Sequence, residues 1–450
     1  MNGVPIDSPG PASNYSHSNL GMPKSVPPPR LPLGFFSIAA LALFTDGILG
    51  IFLGSRVVDN PMGHLAIGMT HMFMLGVASM AVLGAMHQFI PVISGQKLRH
   101  PQLSYWGGGL FAAGSIGLAT SFLLEINPMV VASGILAVIG VVLLVINLSK
   151  PLMVRGKGIS ITGARISSIM LVAVACFGIT YAVDRNAHES FFALSPNLVI
   201  AHAHIGILGW LGISYVAVSE KLWPMFMLSH RKSNRSSQIA IWGLAIGVTI
   251  FVIGMLASST LIATAAGVII VIALCSHLYT LARVVSGRRR KLELLQGYVV
   301  VSAIFLVGAI GFAIASVLSK AGSQLRTQLA AAEIVSLGAW IALAVIGHAH
   351  KVVPFITWGI LRASGVKFTR NNKPLVFSDL LNPSVARASF VIVTSGFTFI
   401  IVGLATMTGV LFSIGSAALA LAAISVSLNL AIRPSRMLSH FGDASQSEAG

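Results

Sequence analysis

Charge is what this chain has least of. Only 12 of its 450 residues are acidic, and Asp, Glu, Lys and Arg together make up 9% of it, where ordinary globular chains carry about 25%. So few ionisable groups cannot cover the surface of a soluble fold of this length, which excludes the soluble enzyme classes. Cysteine is nearly absent too. Cys176 and Cys275 both fall inside apolar stretches, with no CxxC pair, zinc spacing or disulfide framework. Sulfur-rich metal centres are therefore excluded. The N-terminal stretch is polar and proline-rich, reading SVPPPR from Ser25 to Arg30. It lacks the form of a signal peptide, and residues 1–30 are expected to be a disordered tail.

What is there is apolar: 55% of the residues are hydrophobic and the mean hydropathy is +0.87. A span needs roughly 20 apolar residues to cross the hydrocarbon of a bilayer. That arithmetic gives twelve segments, at 33–54, 62–93, 104–124, 128–148, 164–183, 197–224, 238–257, 260–284, 297–318, 328–361, 388–409 and 411–432. In lipid the backbone must satisfy its own hydrogen bonds, so the spans are helices. The fold class is all-α, a polytopic membrane protein with residues 31–435 as the transmembrane domain and 436–450 as a second tail.

The net charge of +17 is a topology signal, not a nucleic-acid footprint. In the connections, 22 Lys and Arg lie on the side that holds both termini, against four opposite (Arg56, Arg185, Lys320 and Arg326). By the positive-inside rule both termini are cytoplasmic, and the protein is expected in the cell membrane.

Three segments rhyme. The second contains His71-Met-Phe-Met-Leu-Gly76, the sixth His204-Ile-Gly-Ile-Leu-Gly209 and the tenth Glu333-Ile-Val-Ser-Leu-Gly338. Each is followed by a proline, Pro91, Pro224 or Pro354, with a polar residue four positions before it: His87, Glu220 or His350. Gly117, Gly254 and Gly403 echo one another near the ends of the third, seventh and eleventh segments. The chain thus reads as three pseudo-symmetric four-helix arcs, near 33–148, 164–284 and 297–432.

Eight of the thirteen histidines fall inside spans: His64, His71, His87, His202, His204, His277, His348 and His350. One intramembrane histidine is as often a helix-to-helix hydrogen bond as a ligand. Eight together point to metal or proton chemistry. His71 and His87 are ~24 Å apart along a helix, so one centre cannot use both, and two sites follow, one toward each face. The members of each HxH pair, His202 with His204 and His348 with His350, point ~160° apart. Each pair therefore offers one imidazole in each of two directions. Neutral imidazole suits haem iron and copper. Glu220 and Glu333, at repeat positions filled elsewhere by histidine, are candidate ligands or proton carriers. Lys351 is a candidate partner for Glu220 or a snorkelling lysine. Asp46 is the remaining acid within a span.

With twelve spans, threefold arcs and buried histidines on the second, sixth and tenth helices, the chain resembles subunit I of the haem–copper oxidase and nitric oxide reductase superfamily. It is also similar to NnrS-type haem–copper membrane proteins. The local likeness lies in THMFMLGVASMAVLGAMHQFIPVISG, AHAHIGILGW and GHAHKVVPFITW. The resemblance implies that His71 binds a low-spin haem and that His348 and His350 serve two haems. It also implies haem b, with copper as a second metal. The family's adjacent histidines on its seventh helix are missing from residues 238–257, so the full copper site is not present.

These residues make His71, His87, His204, His348 and His350 the candidate haem-binding set, and His64, His202, His277, Glu220 and Glu333 the candidate metal set. The expected function is redox or gas handling, related to oxygen or nitric oxide, with a possible oxidoreductase activity. Electrons would come from a donor protein or quinol. A proton- or metal-coupled transporter using the same His and Glu residues is the alternative, and a cofactor-free assembly or sensory partner the third reading. Nucleic acid is not an expected partner.

Overall fold

A computed structural model of the chain describes residues 25–186, 196–230, 235–369 and 373–447. Among the described residues there is no strand, only an isolated bridge between Phe368 and Pro374. Twelve helices are long and apolar enough to cross a membrane: α1 (Arg30–Asp59), α2 (His64–Ser94), α3 (Pro101–Leu123), α4 (Asn127–Leu152), α5 (Ile159–Asp184), α6 (Asn197–Met227), α7 (Arg235–Leu256), α8 (Thr260–Ser286), α9 (Leu294–Leu318), α10 (Gln324–Ala363), α11 (Pro383–Ala405) and α12 (Gly409–Ala431). They match the twelve segments in number and order. Residues 1–24 of the expected N-terminal tail lie outside the described residues, and Arg30 opens α1. The other expected tail is largely a continuation of the last helix, which runs on to Ser447. Arg30 and Ala431 mark the terminal face of the bundle, Asp59 and Gly409 the opposite face.

Burial separates the helices into two layers. In α2 and α6, 67% of the most apolar stretch is buried within the protein, and 61% in α10, whereas no other span exceeds 44%. The three central helices meet pairwise, and the other nine surround them. The outer helices carry exposed apolar side chains such as Phe52, Leu261, Ile304 and Val307, the composition that a lipid-facing surface requires.

The quartets repeat in three dimensions. In each, the first helix packs on the second, the second on the third and the third on the fourth. The turns between the third and fourth helices are the same Schellman motif three times. Ile126 N–H donates to the Ser121 carbonyl, Ser259 N–H to Gly254 and Thr408 N–H to Gly403, at 2.9, 2.8 and 2.8 Å. The left-handed residue in each turn is Glu125, Ser258 or Met407. This geometry corrects the register of the repeat, because Ser121, one helical turn beyond Gly117, is the equivalent of Gly254 and Gly403. Close approach holds these hairpins together. A Cβ on Gly140 of α4 would lie 2.5 Å from the Phe111 amide nitrogen of α3, and one on Gly415 of α12 at 2.5 Å from the Gly396 carbonyl of α11.

Pro91, Pro224 and Pro354 all lie inside helices and break none of them. The interruptions sit elsewhere. A π-helical stretch, Met72–Ser79, follows His71 directly in α2, and a second, Ile205–Gly212, follows His204 in α6. The wide turn disturbs the regular ladder and commonly accompanies a functional site. The ends of the two stretches are tied across the bundle, where the Trp210 indole N–H donates to Ser79 Oγ at 3.0 Å. The corresponding part of α10 stays α-helical.

Candidate functional site

Five histidines share one local arrangement. The Nδ1 atoms of His71, His87, His204, His348 and His350 lie 2.8, 2.9, 2.8, 2.6 and 2.8 Å from the carbonyls of Ile67, Leu83, Ile200, Ala344 and Ile346, each four residues earlier. Helical side chains lean back over the preceding turn, which brings the ring to that carbonyl. A carbonyl only accepts, so Nδ1 carries the proton and Nε2 keeps the lone pair. A ligating imidazole needs that tautomer, with its other nitrogen held by a backbone carbonyl.

Toward the opposite face, His71 of α2 and His202 of α6 have ring centres 6.3 Å apart with planes inclined by 25°. Phe122 packs on His71 at 5.1 Å and Phe177 on His202 at 6.0 Å. His202 Nδ1 is buried with no hydrogen-bond partner. Gly178 of α5 makes room for the His202 ring, since a Cβ there would lie 2.9 Å from His202 Cε1. On the other side of α6, His204 Nε2 lies 3.7 Å from Glu333 Oε1 of α10, with Phe251 of α7 at 4.4 Å between ring centres. The HxH pair thus points in two directions, as helical geometry requires. His204 is engaged at both nitrogens, whereas His202 carries the free one. His64 stands apart near the surface, 3.2 Å from the Phe122 carbonyl and 3.8 Å from Glu125.

Toward the terminal face, Tyr215 of α6 joins His277 of α8 and His348 of α10, at 5.4 and 6.3 Å between ring centres. Trp223 and Phe226 approach His348 from the end of α6, at 6.5 and 6.2 Å. His350 faces the other way, against Tyr298 of α9 at 5.5 Å, and His87 stacks on Phe35 of α1 at 5.7 Å. Buried polar atoms without a partner concentrate at this level: both ring nitrogens of His277, Nε2 of His87 and of His350, Trp223 Nε1 and the Tyr298 hydroxyl. Folded proteins leave few such atoms unpaired, which makes this level a candidate binding region. Glu220 accepts from Ser237 of α7 at 2.5 Å. Lys351 pairs with Glu293 at the start of α9, not with Glu220.

Among the described residues, no three His, Cys, Asp or Glu side chains come together to hold one metal ion. A three-imidazole copper centre does not fit these residues. A haem needs only two axial ligands, and the His71–His202 pair fits. Its two rings come from different central helices, with centres 6.3 Å apart and planes inclined by 25°, and His202 Nδ1 has no protein partner. The structure does not bring His71 to His348 or His350, which lie toward the other face of the bundle.

Several members of the site were not legible in the sequence: Tyr215, Trp223, Phe177, Gly178 and the two π-helical stretches. An aromatic residue in an apolar span carries no signal of which partner it meets.

Fold and site together define a polytopic all-α membrane protein with imidazoles gathered on its three central helices. No known protein-family model matches the chain, and no curated protein matches it. What the protein does rests on its own side chains.

Proposed function

We propose that the protein is a haem-binding redox or gas-handling protein of the cell membrane, with both termini cytoplasmic. The pairing of His71 with His202 carries the reading: two imidazoles from different central helices, 6.3 Å apart and flanked by Phe122 and Phe177. An intramembrane histidine is costly unless it is paired or bound, and His202 Nδ1 has no protein partner. His71 and His202 would hold a b-type haem between α2 and α6. Bound haem supplies reversible one-electron chemistry and an affinity for oxygen or nitric oxide.

The remaining residues have roles of their own. The Ile67 carbonyl fixes the tautomer of His71. Gly178 leaves space for the His202 ring. Glu333 and His204 form a carboxylate–imidazole pair at 3.7 Å on the far side of α6. Toward the terminal face, His277 and His348 around Tyr215 offer a second binding level. Copper does not enter the reading, because among the described residues three donors do not meet.

A pyridine haemochrome assay on the purified full-length protein, expressed with haem supplied, tests this. The expected result is b-type haem at stoichiometric level, lowered in His71→Ala and His202→Ala. Folded protein without haem would overturn the reading.

A further inference from the structure

One acid within the spans takes no part in either histidine level. Asp46 is the seventeenth residue of the thirty-residue α1, ~24 Å along the helix from Arg30 and ~20 Å from Asp59. It therefore sits near the middle of the bilayer. Its side chain is buried, with Oδ1 lacking any hydrogen-bond partner. Asp46 lines a cavity of about 100 Å³ between α1, α2, α10, α11 and α12, large enough to hold several waters. The cavity lining runs from Asp46 past Met69 and Thr70 to Val57, near the end of α1, and Pro61 in the turn that follows it at the opposite face.

Among the residues lining the cavity, Asp46 alone is titratable. The titratable neighbours on the packed helices turn elsewhere. His64 of α2 faces Glu125 and His71 faces His202, while Glu333 of α10 faces His204. His87 of α2 stacks on Phe35, and His348 and His350 of α10 lie against Tyr215 and Tyr298. Lys351 pairs with Glu293. Arg326 and Arg362 lie near the two ends of α10, and Arg56 and Asp59 at the exposed end of α1. Arg387 is the one ionisable residue of α11, at its terminal-face end, and the α12 span has none.

A carboxylate in this position has no countercharge, and an unpaired buried anion is strongly disfavoured. A hard metal cation would need about six oxygen ligands. Here the carboxyl is joined by only two hydroxyls among the side chains that line the cavity, Thr70 and Ser416. A proton needs one oxygen. We propose that Asp46 and its cavity form a proton-binding site at mid-membrane, reached by water from the face opposite the termini. The carboxylate takes a proton from hydronium, forming the carboxyl O–H bond and leaving water, and returns it by the reverse step. The proposal does not depend on haem.

Infrared spectroscopy of the full-length protein in lipid tests it. In wild type carrying 13C-aspartate, a carboxylic-acid C=O band should show the isotope shift, and it should move again on transfer to D2O. The band should be lost in Asp46→Asn. The labelled wild type needs no variant, so the test survives a failure of Asp46→Asn to fold. A spectrum with aspartate carboxylate only, a band that persists in Asp46→Asn, or a band indifferent to D2O overturns the proposal. So does loss of the band on adding sodium alone, which would make this a cation site.

Discussion

His71 and His202 face one another from α2 and α6 with ring centres 6.3 Å apart, and each belongs to a helix whose regular winding gives way within a few residues of it. The two π-helical stretches open one residue after His71 and one after His204. They are tied together by the Trp210–Ser79 hydrogen bond. The pair thus sits beside the two interrupted stretches, on two of the three most buried helices.

If that pair holds the haem, histidine substitutions should separate by position. His71→Ala and His202→Ala should each lower haem content severely, since either change removes one of two axial ligands. His64→Ala should retain it, because His64 lies near the surface beside Glu125. Haem quantified per folded protein checks this.

Gly178→Val should act on His202 without removing it. The new side chain would begin 2.9 Å from His202 Cε1 and must displace the ring. The expected outcome is an altered haem spectrum in a folded protein. An unchanged spectrum would mean that His202 is not a ligand.

The three hairpins make a separate prediction about stability. Gly140→Ala and Gly415→Ala place a Cβ 2.5 Å from backbone atoms of the partner helix, and overpacking of this kind costs about 1–3 kcal/mol. Gly109→Ala and Gly308→Ala meet nothing within 4 Å. As helix-interior glycines they should gain up to about 1 kcal/mol. Thermal unfolding in detergent compares the two classes.

Met407→Gly and Ser258→Gly should both stabilise. These residues hold φ of 56° and 51° in the Schellman turns, and a left-handed conformation costs a non-glycine residue roughly 1–2 kcal/mol. The expected gain is about 1 kcal/mol, partly offset by the freer unfolded chain. The same unfolding assay reads it.

The spans were legible because lipid demands long apolar runs, and the HxH directions because 100° per residue fixes where successive side chains point. Local rules of that kind need no partner. Where a second element decides, sequence was insufficient. The sequence offered Lys351 either Glu220 or the membrane interface, and the packing of α9 on α10 gives it Glu293 instead. The choice of His202 over His204 as the free imidazole likewise depends on Glu333 arriving from α10. The glycine echo placed Gly117 one turn short of Ser121, because the repeat is defined by turn hydrogen bonds and not by residue type. Nothing in the composition of Met72–Ser79 or Ile205–Gly212 distinguishes a π-helical stretch from ordinary helix. Prolines are the residues that sequence marks as breaks, and here they break nothing.

The account stands or falls on a reduced-minus-oxidised visible spectrum of the purified wild-type protein. It predicts a Soret band and b-type α band that sharpen on reduction, with the α band lost in His202→Ala. A folded wild-type protein with no visible absorption in either redox state, after expression with haem supplied, would contradict it.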